Sequence, residues 1–254
     1  MLKDILSELY TMTRGLPQGS FGLLYGSQAS GNATEDSDID VMFFTADDRR
    51  PSQSFIAGVI DMHKRHHCAI DVEVPYESKL FASRNEAAAA FTLAPFLTGK
   101  NRVVVPALAK DTPYMGSDNM KQRMILNALT SPHIFVGGDW RAYMQMKMLA
   151  QKTMTIVAVA LLDQHEMAIP ELITALKWSD TGQGGEDHLG YKVKRGVDEA
   201  LWETLSTGLD ALIKEGWVEP LGESSFRVTD QFPYTKGRTC TDNKCDSAPA
   251  TSTP

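Results

Sequence analysis

Hydrophobic and polar positions along this chain switch between a helical period and a strand period. In residues 1–15 (MLKDILSELYTMTRG) apolar residues recur at helical spacing and predict an amphipathic helix. Phe21 to Tyr25 (FGLLY) is an unbroken apolar run and reads as a short buried strand, ended by Gly26-Ser27. Residues 28–34 (QASGNAT) read as a helix start and a polar loop. Ser37 to Phe44 (SDIDVMFF) is a second strand. After a charged loop, Phe55, Val59, Ile60 and Met62 mark a helix over 55–67, which delivers a third strand at Ala69 to Val74 (AIDVEV). Residues 77–97 read as a helix stopped by Gly99, and Arg102 to Pro106 as a further strand.

Pro, Gly and polar residues cluster at 111–118 and set a domain boundary. Beyond it the pattern is helical: 120–129, then an interruption at Pro132 and Gly137-Gly138, then 140–162 and 166–178, the last with Pro170 in its first turn. The Met-rich stripe of 140–162 (Met144, Met146, Met148, Met154) reads as adaptable core. Residues 181–190 form a Gly-rich loop, and 198–215 a last helix. A turn at Gly222 followed by Ser225 to Thr229 reads as a closing hairpin. The expected organisation is a domain over 1–112, a mostly helical one over 118–230, and a polar, disordered tail over 231–254.

The chemistry concentrates in the first part. Asp38 and Asp40 alternate with Ile39 and Val41, so on a strand both carboxylates project to one side. Asp is depleted in strands, and paired carboxylates repel; a divalent cation removes both problems. Mg²⁺ takes hard oxygen ligands from one or two carboxylates, with substrate phosphates completing its shell. Asp71 and Glu73 share one face of the next predicted strand and offer further oxygens. Two metals about 3.5–4 Å apart need such a set.

An apolar strand, Gly26-Ser27, a spacer of about ten residues, Asp38-Ile39-Asp40 and a later acid-bearing strand together resemble the DNA polymerase β superfamily of nucleotidyltransferases. Within that superfamily the chain is similar to small bacterial and antibiotic-modifying members of the aminoglycoside type. The resemblance covers roughly the first 110 residues. It implies an α+β fold: a mixed sheet with flanking helices, then a mostly helical C-terminal domain ending in a winged-helix-like hairpin. It implies Gly26 and Ser27 at the triphosphate, and Asp38, Asp40 and Asp71 on two Mg²⁺ ions. Either Asp71 or Glu73 serves as the third acid and takes the acceptor's proton. Lys79, Arg84, Lys121 and Arg123 are the candidate cations for the leaving pyrophosphate. The implied reaction moves a nucleoside monophosphate from an NTP, by default ATP, to a hydroxyl of a small acceptor. The alternatives are modification of a protein or tRNA, as by toxin-like members, or a nucleotide-sensing regulator that binds DNA through its C-terminal part.

Composition narrows these. Of 254 residues, 43% are hydrophobic and 22% charged, as in a folded globular chain. The net charge of −7 argues against an extended nucleic-acid substrate, which calls for a basic surface. Asp198, Glu199, Glu203 and Asp210 on the last helix would likewise repel phosphates. His63, His66 and His67, beside Lys64 and Arg65, read as cations at a helix C-terminus, not as metal ligands. Cys68, Cys240 and Cys245 form no framework. With no signal-peptide pattern at the start and no apolar run of spanning length, a cytoplasmic location is expected.

Overall fold

The computed structural model describes residues 2–34, 37, 39–45, 52–66, 81–82, 125–126, 128–162, 164–178 and 197–233. Among the described residues the first sheet has four strands in the order β3-β2-β1-β4. These are β1 (Phe21–Tyr25), β2 (Asp40–Phe44), β3 (Phe81–Ala82) and β4 (Ile134–Gly138). β1 pairs antiparallel with both β2 and β4, and β2 pairs in parallel with β3.

Alternation sorts the side chains of this sheet between two cores. Leu24, Ile39, Val41, Phe43 and Val136 face α1 (Leu2–Thr13) and α3 (Gln53–Arg65), packing on Ile5, Leu9, Val59 and Met62. Phe21, Leu23, Met42 and Phe44 face the other way, into a core shared with α4 (Trp140–Leu162), α5 (Ile169–Trp178) and α6 (Val197–Lys214). The helical half of the chain therefore packs directly on one face of the sheet. Each fully buried Leu or Phe contributes roughly 1.5–3 kcal/mol there.

Local signals set several helix starts. Ser52 caps α3, its Oγ accepting from the Phe55 N–H at 3.2 Å. Asp139 caps α4, its Oδ1 accepting from the N–H groups of Arg141 (2.9 Å) and Ala142 (3.1 Å). Glu171 Oε2 accepts from the Ala168 N–H at 2.7 Å, the reciprocal half of a capping box at the start of α5.

A second sheet, antiparallel and ordered β5-β7-β6, closes the C-terminal part. It comprises β5 (Glu166–Ala168), β6 (Val218–Pro220) and β7 (Ser225–Val228). β6 and β7 form the expected hairpin. Among the described residues the topology from α4 onward is helix, strand, two helices, hairpin, with the isolated strand beside β7.

Expectations for several elements change. Ile134–Gly138 is a strand of the first sheet, not just a break between helices, because its apolar residues find a partner in β1. This strand follows the boundary expected at 111–118 in sequence and joins the first sheet in space. Phe81–Ala82 is a strand inside the stretch read as the helix 77–97, drawn out by parallel pairing with Phe43 and Phe44. Glu166–Ala168 is a strand against Arg227, Phe226 and Ser225, so the helix read from 166 begins at Ile169. Phe232 is buried and meets Trp217 edge-on (6.2 Å), so the fold continues into the stretch read as tail. The expected strands at 69–74 and 102–106, the helix body at 83–97, the loop at 181–190, all three cysteines and residues 234–254 lie outside the described residues.

Candidate active site at the end of the first sheet

β1 ends at Tyr25, which pairs with Asp40, the first residue of β2. The chain turns at once into α2 (Gly26–Ser30), beginning at Gly26 itself. Gly26 has φ +71°, the left-handed region that L side chains rarely adopt. A Cβ on Gly26 would overlap Asp40 Oδ2. The carboxylate thus occupies the space that glycine leaves open, and turn and acid form one unit.

Asp40 is half-buried, while its neighbours Ile39 and Val41 are buried in the α1/α3 core. Asp40 shares its face with Met42 and Phe44, which look toward α4. The second strand begins at Asp40 instead of Ser37. Ahead of it Ser37 closes a turn, its Oγ accepting from the Thr34 N–H at 2.7 Å and its N–H donating to the Thr34 carbonyl at 3.2 Å. Buried Gln28, on α2, reaches the Ser37 carbonyl with Nε2 at 3.5 Å. Its side chain ties α2 to the approach of β2, a role that sequence reading missed because a lone Gln carries no motif.

Ser27, half-buried, follows Gly26 in α2. Its carbonyl accepts from the Asn32 N–H at 3.0 Å, which fixes the short helix. Asp38, Asp71, Glu73, Lys79, Arg84, Lys121 and Arg123 lie outside the described residues. Of the proposed set, the structure therefore brings together Gly26, Ser27 and Asp40. Among the described residues no group of three or more His, Cys, Asp or Glu side chains converges. The described part of the site fits a hard cation: Asp40 supplies carboxylate oxygens, and the backbone beside it is bare of a Cβ.

Residues 4–88 match the model of the nucleotidyltransferase domain. The match runs from α1 past β3 and contains Gly26, Ser27 and Asp40. The chain is accordingly a transferase of phosphorus-containing groups. No curated protein matches the chain.

A second polar cluster lies on the same side of this domain's sheet, also missed from sequence. His133 immediately precedes β4. Its Nδ1–H donates to the Ser131 carbonyl at 2.7 Å, and its Nε2 accepts from the Tyr143 hydroxyl at 2.7 Å. Burial holds the His133 imidazole below its usual range and pushes the Tyr143 phenol above its own. Lys147, one turn along α4, donates to Glu203 Oε1 of α6 at 2.7 Å. His66, by contrast, lies on the α1/α3 side, where its Nε2 meets Glu8 Oε2 at 3.2 Å. No helix among the described residues is long and apolar enough to cross a membrane.

Proposed function

We propose that the protein is a Mg²⁺-dependent nucleotidyltransferase that moves NMP from an NTP, ATP by default, to a hydroxyl of a small-molecule acceptor of the aminoglycoside type. The observation that carries this reading is the fit of Asp40 against the bare backbone of Gly26, inside a segment that matches the nucleotidyltransferase domain.

In this reading Asp38 and Asp40 would hold a divalent metal at the triphosphate, and with Asp71 a second beside the acceptor hydroxyl. Bound metal would lower the pKa of that hydroxyl and neutralise developing charge. Asp71 or Glu73 accepts the proton. Gly26 admits the phosphates close to the backbone, and Ser27 offers a hydroxyl and an N–H to them. Lys79 and Arg84 meet the leaving pyrophosphate. Such an enzyme would act in the cytoplasm, where NTP is abundant, and would confer antibiotic resistance.

The order β5-β7-β6 with its preceding helices supports a winged-helix-like reading of the C-terminal part. It does not favour DNA as a partner. Arg227 of β7 is committed to Glu166 (2.7 Å) and Glu219 (3.0 Å), and Glu199, Glu203 and Asp210 are exposed on α6. The deciding assay incubates the protein with α-labelled NTPs, Mg²⁺ and a panel of aminoglycosides, lincosamides and tRNA. Label transfer to a small acceptor, lost in Asp40→Ala, is expected. Transfer to tRNA alone, or none in the wild type, would refute the reading.

A further inference from the structure

Gly26 and Asp40 are remote in sequence and meet beside the Tyr25–Asp40 pair. The chain between them is knitted in two parts. In the first, the Ser27 carbonyl accepts from the Asn32 N–H (3.0 Å) and the Ser30 hydroxyl (3.3 Å), and Asn32 Nδ2 donates to Ser30 Oγ (2.9 Å). In the second, Ser37 Oγ accepts from the Thr34 N–H at 2.7 Å, and the Ser37 N–H donates to the Thr34 carbonyl at 3.2 Å. Each of these bonds stays within its own part. Gln28 spans the two, its Nε2 donating to the Ser37 carbonyl at 3.5 Å. It is the buried side chain of α2, only 4% exposed, while Ser27, Ala29 and Ser30 around it are half-buried. A primary amide is costly to bury, and an apolar side chain of that size would close the same space. What the amide adds is a directed bond.

We propose that Gln28 is a positioning residue of this site: by holding the Ser37 carbonyl to α2 it sets where the chain enters β2, and so where the Asp40 carboxylate stands against Gly26; this rests on the nucleotidyl-transfer reading above. The entrance to β2 is fixed from two sides. Ile39, buried in the α1/α3 core, holds it by an apolar side chain. Gln28 holds it from the turn. Because α2 begins at Gly26 itself, the bond ties the entrance of β2 to the same short helix that carries the bare glycine. The fit leaves little tolerance. The carboxylate already fills the space of a Gly26 Cβ, so a displaced entrance moves it off the glycine or into the backbone. Gln28 thus acts through Ser37 and Asp40, as groups behind metal ligands do, and the loss of such support costs about ten- to a hundredfold in affinity or activity.

The test is calorimetric titration of wild type, Gln28→Met, Asp40→Asn and the double variant with ATP, GTP, CTP and UTP, each with Mg²⁺ and again with EDTA in its place, alongside the Tm of each protein. Gln28→Met keeps the length of the side chain and removes the amide. It is expected to leave Tm close to wild type and affinity in EDTA unchanged, and to weaken Mg²⁺-dependent NTP binding about tenfold. In the Asp40→Asn background the same change should have no further effect, because both act through one carboxylate. Equal Mg²⁺-dependent affinity in wild type and Gln28→Met overturns the proposal. So does an equal loss with and without Mg²⁺, or an additive loss in the double variant, since Gln28 would then support the fold alone. If Gln28→Met does not fold, Gln28→Asn, which keeps an amide but withdraws it by one methylene, must show the metal-dependent loss, and its absence overturns the proposal. A wild type that binds no NTP fails the nucleotidyl-transfer reading itself; a wild type that binds NTP with Mg²⁺, unaffected by loss of the Gln28 amide, fails this inference alone.

Discussion

The Asp40 carboxylate fills the space in which a side chain on Gly26 would have to begin. Turn and acid are separated by a spacer in sequence and joined by the Tyr25–Asp40 pair in space. Gly26→Ala should therefore fail twice. The left-handed backbone costs an L residue roughly 1–2 kcal/mol, and the new methyl group pushes the carboxylate away. A lower Tm and loss of the thermal shift given by NTP with Mg²⁺ are expected. An unchanged thermal shift would contradict the close fit.

Asp40→Asn separates charge from shape. The side chain is half-buried at a strand start, so the fold should persist with a near-wild-type circular dichroism spectrum. NMP transfer should fall on the order of a hundredfold or more, because even outer-shell losses at metal sites reach that range. Retained turnover in a radiolabel assay would remove Asp40 from the metal-binding set.

The helical half rests on a close approach between α4 and α6. A Cβ on Gly208 would overlap Thr155 Oγ1 and crowd the Gln151 carbonyl. Thr155 is itself fully buried, donating its hydroxyl to that carbonyl at 2.9 Å. Gly208→Ala should destabilise by about 1–3 kcal/mol through overpacking. Adding Thr155→Ala should recover part of the loss, a coupling that chemical denaturation of the four-protein cycle measures.

Asp139 ties the start of α4 to the loop before β1. Its Oδ2 accepts from the Gly19 N–H at 3.0 Å while Oδ1 caps the helix. Hydrogen bonds from Ala142 and Gly19 hold its carboxyl below the usual carboxylate range. A depressed folded pKa means that its stabilisation is complete above the unfolded value, near 3.9. It is lost as pH falls through the folded value. Asp139→Ala should lower Tm at neutral pH and narrow its gap to wild type in strong acid. Asp139→Asn should keep part of the cap.

His133 gives the opposite kind of titration. Burial lowers its folded pKa, so the unfolded chain binds the proton first as pH drops below about 6.5. Its contribution is therefore intact above the unfolded value and shrinks between that value and the lower folded one. His133→Gln should flatten the Tm profile between pH 7 and 5. A parallel profile would show that the imidazole titrates equally in both states.

The acidic turn was legible because its parts are local. Alternation in Ser37 to Phe44 separates Asp40 from Val41 on any strand, and Gly-Ser after an apolar run ends that strand whatever surrounds it. Pro170 likewise marks the first turn of a helix through its own fixed backbone. Ile134–Gly138 was not legible as a strand. Pro132 and the paired glycines mask five residues whose extended form depends on β1, more than a hundred positions earlier. Glu166–Ala168 is extended for the same reason, since its partner β7 follows some sixty positions later.

The amino-acid order alone determined the local periodicities and the turn at Gly26, because those follow from backbone geometry over a few positions. It left open which segments become neighbours. Only the folded chain decided that β4 borders β1, that Asp40 shares the face turned toward α4, and that His133 meets Tyr143 and Lys147 meets Glu203. Such contacts depend on burying two faces of one sheet at once, a condition that no short stretch of sequence contains.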